Sequence, residues 1–262
     1  MNLGIDNKTL LNRLLPDYDK IMAAPLAEDG NAIMQLTGLE YGRQGSGKTT
    51  TVKWLVEEAK RKYGPEKVNA SWSFDLEALL RGGFEPVPIN ILLAEDQTNA
   101  KISPWAMWAF FNIRHLMAEQ TGLRRGLCLI FFNCHDAHRV PKEFRLDVDG
   151  HLVKNSPTND WDEDFYTRRL GMSHVAWLKD TEEQWVNDPT LKRYGAWYSQ
   201  RSKGRFESEF IPHRNMKQIV WETPTIQQPV LEAKKENTKW WIIAALVILI
   251  LLLLSGIADF IG

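Results

Sequence analysis

The residues with the clearest chemistry lie at Gly42-Arg43-Gln44-Gly45-Ser46-Gly47-Lys48-Thr49, which satisfies the spacing G-x-x-x-x-G-K-[ST] in full. An apolar stretch precedes this segment and an amphipathic one starts at the lysine, the strand–loop–helix setting that a phosphate-binding loop needs. Gly45 and Gly47 let the backbone curl so that successive N–H groups face phosphate oxygens. The new helix adds the positive end of its dipole. Lys48 can then reach the β- and γ-phosphates of a nucleotide, and the Thr49 hydroxyl can ligate Mg²⁺. Gly42 through Thr50 are therefore the candidate nucleotide-binding residues, with Arg43 and Gln44 in variable loop positions.

Such a loop works with an acid at the end of a neighbouring strand. Glu95 and Asp96 stand directly after the apolar run Ile89-Asn-Ile-Leu-Leu-Ala94. One acid would orient the Mg²⁺ shell and the other would polarise the attacking water. The usual order is Asp then Glu, and here it is reversed. Either the two exchange roles, or Asp96 is the magnesium residue and the base lies elsewhere. A third apolar run, Leu127 to Phe132, ends in Asn133-Cys134-His135-Asp136. Asn133 is the candidate to sit between the loop and the acids and sense the γ-phosphate. Lys48, Glu95, Asp96 and Asn133 are the expected catalytic set.

These groups need a scaffold, and the patterning supplies an α/β one. Ala32 to Tyr41 reads as a strand, and Lys48 to Tyr63 as a helix with Val52, Leu55, Val56 and Ala59 on one face. Val68 to Ser73 and Ile89 to Ala94 read as strands, separated by a short helix over Asp75 to Leu80. Pro104 to Gln120 reads as one helix ended by Gly122, and Leu127 to Phe132 as a buried strand. The alternation predicts an α/β fold with a mostly parallel sheet covered by helices, and the resemblance of the loop motif to P-loop NTPases implies their three-layer sandwich. Residues 1–31 form an expected N-terminal helical segment and 32–222 the nucleotide-binding domain. Within 147–222 the signal weakens. Residues 147–160 look turn-rich, Asp162 to Leu170 helical, His174 to Leu178 strand-like and Thr181 to Arg205 helical with interruptions. Met216 to Trp221 reads as a last strand.

Residues 223–239 have linker composition, and Trp240 to Ala258 is an uncharged apolar run of nineteen residues. At helical rise that run spans about 28 Å, close to the hydrocarbon thickness of a bilayer. Trp240 and Trp241 suit an aromatic belt, and Lys234, Lys235 and Lys239 lie just before it. The expectation is a single-pass membrane protein with its N-terminal domain in the cytoplasm.

The net charge of −1 gives no global basic field, so any nucleic-acid contact would come from a local patch. One candidate is Lys192, Arg193, Arg201, Lys203 and Arg205 near Tyr194, Trp197 and Tyr198, a mixture able to grip a backbone and stack bases. A solvated helix and loop is the alternative. The two cysteines, Cys128 and Cys134, share one apolar run and do not form a disulfide scaffold. A zinc site with His135 and His138 is disfavoured, since no second C-x-x-C pair exists. Asp147-Val-Asp-Gly150 matches the D-x-x-G of GTPases, but no N-K-x-D motif follows.

The order of phosphate loop, acidic pair after a buried strand, polar-ended strand and the segment His138-Arg-Val-Pro-Lys-Glu-Phe-Arg145 resembles the ASCE division of P-loop ATPases. Within it, the chain resembles the FtsK–HerA type of DNA-pumping motors. With its apolar run it also resembles the zonular-occludens-toxin family of filamentous-phage assembly ATPases. The resemblance covers roughly 32–145 and the C-terminal run. It implies ATP and Mg²⁺ as cofactors and ATP-driven DNA translocation, packaging or export. It also implies a homo-oligomeric ring in which Arg139 or Arg145 serves a neighbouring site as an arginine finger. A membrane-tethered remodelling ATPase that acts on proteins without nucleic acid is the second reading, and a small-molecule kinase the third.

Overall fold

Ile89-Asn-Ile-Leu-Leu-Ala94 is buried at every position, as a central parallel strand covered on both faces must be. The computed structural model that contains it describes residues 11–12, 14–44, 46–98, 101–154, 156–187, 195–199 and 205–208. All of these lie in a unit that runs to Thr225. In chain order the elements are α1 (Tyr18–Met22), β1 (Ala32–Tyr41), α2 (Lys48–Tyr63), β2 (Val68–Ser73), α3 (Leu76–Gly82) and β3 (Ile89–Ala94). They continue with α4 (Pro104–Phe111), α5 (Ile113–Thr121), β4 (Arg125–Cys134), α6 (Lys142–Asp147) and β5 (Gly150–Val153). After these come α7 (Asp160–Leu170), α8 (Met172–Asn187), β6 (Gly195–Ser199) and β7 (Arg205–Ser208).

The sheet order is β2-β3-β4-β1-β5-β6-β7. Its first five strands are parallel, and β6 and β7 add an antiparallel hairpin at one edge. The consequential feature is β4, inserted between β1 and β3. It puts the loop after β1 and the acids after β3 on either side of the end of β4. Ligands of open α/β sheets bind in this region, outside the carboxyl ends of the strands.

Period-two alternation sends successive side chains to opposite faces. Leu39, Tyr41, Leu92, Ile130 and Phe132 face a core that includes residues of α3, α4, α5 and α6. Ile91, Leu93, Leu129 and Phe131 face a second core that includes Val52, Leu55, Val56 and Ala59 of α2. Phe144 of α6 is fully buried in the first, its ring 4.6 Å from that of Phe110 and 4.8 Å from Phe132. Truncation at this ring cluster leaves a cavity no neighbour can fill. Phe144→Ala is expected to destabilise the domain by about 3–5 kcal/mol, read as a shift of the denaturation midpoint.

Several expectations are corrected. The single helix over 104–120 is two, broken where Asn112 leaves helical geometry at φ −111° and ψ 29°, although its amide still donates to the Trp108 carbonyl at 3.0 Å. Residues 174–178 are not a strand but part of α8. Val175 and Leu178, three apart, are both buried as helical spacing demands. The helical reading of 181–205 fails at β6 and the start of β7, and the turn-rich 147–160 contains β5. Asp149 of the D-x-x-G match is a structural clasp. Its Oδ2 accepts from the Thr37 amide at 2.8 Å and the Thr37 hydroxyl at 3.0 Å, while its own N–H donates back to that hydroxyl. The expected strand at 216–221, the linker and the apolar run 240–258 lie outside the described residues. Among the described residues no helix is long and apolar enough to cross a membrane.

Candidate nucleotide site

β1 ends at Tyr41, and the Gly42 amide donates to the Cys134 carbonyl of β4 before the chain turns. The turn closes through Ser46 N–H to the Arg43 carbonyl at 3.1 Å. Gly47 then takes φ 86°, a left-handed conformation that glycine adopts without a Cβ penalty. α2 starts at the next residue, so its first amides face the mouth of the loop. Gly45 lies outside the described residues.

Lys48 is buried at 7% exposure and folds back over its own loop. Its ammonium donates to the Gly42 carbonyl at 2.7 Å, the Arg43 carbonyl at 3.2 Å and His135 Nδ1 at 3.1 Å. The imidazole meets the lysine through Nδ1 and faces Asp96 through Nε2, which lies 3.3 Å from Oδ1. Burial pulls the Lys48 pKa below its ordinary value, against the opposing charge of Glu40 and, more weakly, Cys134, Glu95 and Asp96.

The two acids are separated by their surroundings. Glu95 Oε1 accepts a short hydrogen bond from the Thr49 hydroxyl, and its Oε2 accepts from Asn133 Nδ2 at 2.9 Å. Asp96 reaches neither. It is half exposed, pairs with His135 and has φ 46°, the only non-glycine residue at positive φ among those described. A strained backbone persists only where its surroundings over-determine it, and here they do. The Gln97 amide donates to the Asn133 carbonyl at 2.7 Å, and the Gln97 side chain donates to the carbonyls of Phe74 and Glu95. The His135 amide donates to the Thr98 hydroxyl at 2.8 Å.

A cleft of about 350 Å³ opens over these groups. Lys48, Thr49 and Thr50 line one side, Glu95 and Asp96 another, and Gln44, Phe74 and His135 the rim. Asn133 does not line it. The side chain is fully buried and reaches the site only through Glu95, with its Oδ1 unpartnered among the described residues. The residue that emerges into the cleft is His135, two positions on and so on the same side of the strand direction. Sequence reasoning weighed His135 only as a zinc ligand. The zinc constellation does not assemble: Cys128 and Cys134 are buried free thiols, His138 packs edge-on against Trp161, and His135 serves Lys48 and Asp96.

The remaining candidates divide. Arg43 pairs with Glu182 of α8 at 3.0 Å, and Glu182 also accepts from the Ser156 amide at 2.9 Å. The Arg145 guanidinium lies over the Trp161 ring, 5.0 Å from its centroid, and so is committed within its own domain. Arg139 is exposed and pairs with the adjacent Asp136. Of the basic–aromatic cluster, Lys192, Arg193, Tyr194, Arg201 and Lys203 lie outside the described residues. In the hairpin Tyr198 is the register partner of Arg205, and Trp197 that of Phe206.

Beneath the loop sits a group that sequence reading missed. Glu40, the penultimate residue of β1, has no exposure, and among the described residues neither carboxylate oxygen has a partner in hydrogen-bonding geometry. Burial pushes its pKa up to about 8, while the charges of Lys154 and Lys48 pull it down and Glu95 adds to the rise. The folded chain therefore holds this proton more tightly than the unfolded chain, whose carboxyl has the ordinary value near 4.5. This group's contribution to stability is fully present below that value and is lost as pH rises through about 8. Thermal unfolding should show a midpoint that falls between acid and mildly alkaline pH, and Glu40→Gln should flatten that slope.

No protein-family model and no curated protein matches the sequence. Among solved structures, the chain is similar to the genome packaging NTPase B204 from Sulfolobus turreted icosahedral virus 2. With ATP-gammaS bound, that protein is 11% identical over 68% of this chain and 98% of its own, at a TM-score of 0.46. Its sulfate complex is 9% identical over 68% and 97%, at 0.47. B204, the DNA-packaging ATPase from Sulfolobus turreted icosahedral virus, is 9% identical over 67% and 98%, at 0.43.

Proposed function

We propose that this chain is a magnesium-dependent ATPase whose site lies between the loop at 42–49 and the acids at 95–96. The observation that carries the reading is the meeting of Thr49, at the start of α2, and Glu95, just after β3, across the end of β4 and directly beside Lys48. A hydroxyl and a carboxylate converging on one point form an all-oxygen donor pair. That pair suits Mg²⁺, which takes one or two protein ligands and completes its shell with water and phosphate. Among the described residues no cluster of His, Cys, Asp and Glu offers a softer metal a site. Thr49 and Glu95 would hold Mg²⁺, which would supply positive charge against the negative charge of the phosphates.

The chain's own residues then divide the work. The first amides of α2 and the Lys48 ammonium hold the phosphates. Asn133 keeps the Glu95 carboxylate turned toward Thr49. Asp96, facing the cleft with His135 behind it, accepts a proton from the attacking water at Oδ1 or Oδ2. ATP is the proposed nucleotide because the chain has a complete phosphate loop and no N-K-x-D segment.

Beyond hydrolysis, the proposed role is a motor that moves or packages DNA at a membrane, working as a homo-oligomeric ring. The charge-free run at 240–258 and the basic and aromatic residues between 192 and 205 support it. Arg139 is the better-placed finger, since Arg145 is committed to Trp161. The near-zero net charge favours the second reading, a tethered ATPase that remodels proteins. ATP hydrolysis by the full chain in detergent, with and without single- and double-stranded DNA, separates them. DNA-stimulated, salt-sensitive turnover is expected. Turnover indifferent to DNA removes the motor, and no turnover removes the ATPase.

A further inference from the structure

The loop at 42–49 rests on a buried polar layer contributed by two strands. Lys154, directly after β5, is 3% exposed, and its backbone amide donates to the Tyr41 carbonyl of β1 at 2.9 Å. Its ammonium donates to the Thr51 hydroxyl at 2.9 Å. That hydroxyl in turn donates to the Gly47 carbonyl at 3.1 Å, which also accepts the Thr51 amide at 3.0 Å. The polarity is consistent along the whole path, from ammonium to hydroxyl to carbonyl. It ends on the left-handed glycine from which α2 departs.

A structural role for Lys154 would be met more cheaply by an apolar residue at the same place, since a buried charge is weak evidence for stability. Glu40 shares the layer, and Lys154 is the charge that acts on it most strongly. The arrangement puts a fixed positive group behind the turn whose front faces the phosphates. It also fixes the direction of the Gly47 peptide.

We propose that Lys154 and Thr51 are positioning residues for nucleotide binding: the relay from Lys154 through Thr51 to the Gly47 carbonyl holds the phosphate-binding turn in its competent shape. This rests on the ATPase reading above and deepens it. Neither side chain lines the cleft, so the effect reaches the nucleotide through Gly47.

The test compares the full-length chain with Thr51→Val, Thr51→Ser, Lys154→Met and the Thr51→Val/Lys154→Met double variant. KM for ATP, kcat, ADP affinity and thermal midpoint are measured for each. Valine keeps the shape of threonine and removes the hydroxyl, whereas serine keeps the hydroxyl. Thr51→Val should raise KM and weaken ADP binding about tenfold, the scale of one lost hydrogen bond to a charged group. Thr51→Ser should stay within about twofold on the same scale. The double variant should be no worse in ADP affinity than the poorer single, because both act through one relay. Folded Thr51→Val with wild-type KM and ADP affinity overturns the proposal. So does a serine variant as impaired as the valine one, or additive losses in the double. Should Lys154→Met not fold, the valine–serine pair decides alone. Lys48→Ala is run alongside. Wild-type chain without Lys48-dependent turnover defeats the ATPase reading, whereas Lys48-dependent turnover indifferent to Thr51→Val defeats only the relay.

Discussion

Replacing Lys48 with alanine is expected to lower ATP turnover by roughly a hundred- to a thousandfold or more, the loss seen when a preorganised donor to developing charge is removed. The fold should survive. Lys48 is the first residue of α2, a position alanine occupies well. Among the described residues its ammonium bonds carbonyl oxygens of its own loop and His135, none of which belongs to either hydrophobic core. Truncation also removes a buried cation, so the thermal midpoint should move little beside the change in turnover. An arginine at the same place is not a conservative exchange, because a planar fork cannot replace a compact point charge enclosed by the loop. Unchanged turnover in a folded Lys48→Ala chain would mean that the cleft is not the hydrolytic site. Circular dichroism and steady-state phosphate release give the two readouts.

The second large effect separates the adjacent acids. Asp96→Asn should reduce kcat by about a hundred- to ten-thousandfold, the range for a lost general base, while magnesium–nucleotide affinity stays within a few-fold. Asparagine tolerates left-handed backbone nearly as well as aspartate, and Gln97 and Thr98 continue to clamp the loop. Geometry is thereby preserved and only the proton acceptor is lost. Glu95→Gln should do the reverse, because Glu95 faces Thr49 and its charge is what a metal would meet. Its signature is weakened magnesium-dependent nucleotide binding. Comparable losses of nucleotide affinity in both variants, measured by titration with and without Mg²⁺, would remove the division of labour.

That division was not legible in the residues alone. Glu95 and Asp96 differ by one position, and the choice between them depends on which one lies against Thr49 across β4. His135 and Asn133 were equally ambiguous as neighbours at a strand end. Period-two geometry puts them on the same side, yet only the packing shows Asn133 enclosed and His135 at the cleft. The elements tell a similar story. β1, α2, β2 and β3 have the bounds their patterning predicts, because each is strongly periodic and punctuated by glycine or proline. The break at Asn112 is one residue leaving helical φ and ψ, which a periodicity count over Pro104 to Gln120 passes over. β5 is short and takes its place from pairing with β1 and β6, partners far away along the chain.

By itself the sequence determined the loop at 42–49 to which the proposal assigns the phosphates, since its motif lies in contiguous residues whose backbone curls as their glycines allow. It likewise determined the alternation of strands and helices around the loop and the uncharged run from Trp240 to Ala258. Tertiary structure decided what those groups meet. Strand order placed Asn133 between loop and acids, turned Glu95 rather than Asp96 toward Thr49, and buried Glu40 and Lys154 beneath the turn. The physical reason is that burial and electrostatic coupling depend on distance in space. Lys154 and Thr51 are 103 positions apart in the chain and 2.9 Å apart in the fold.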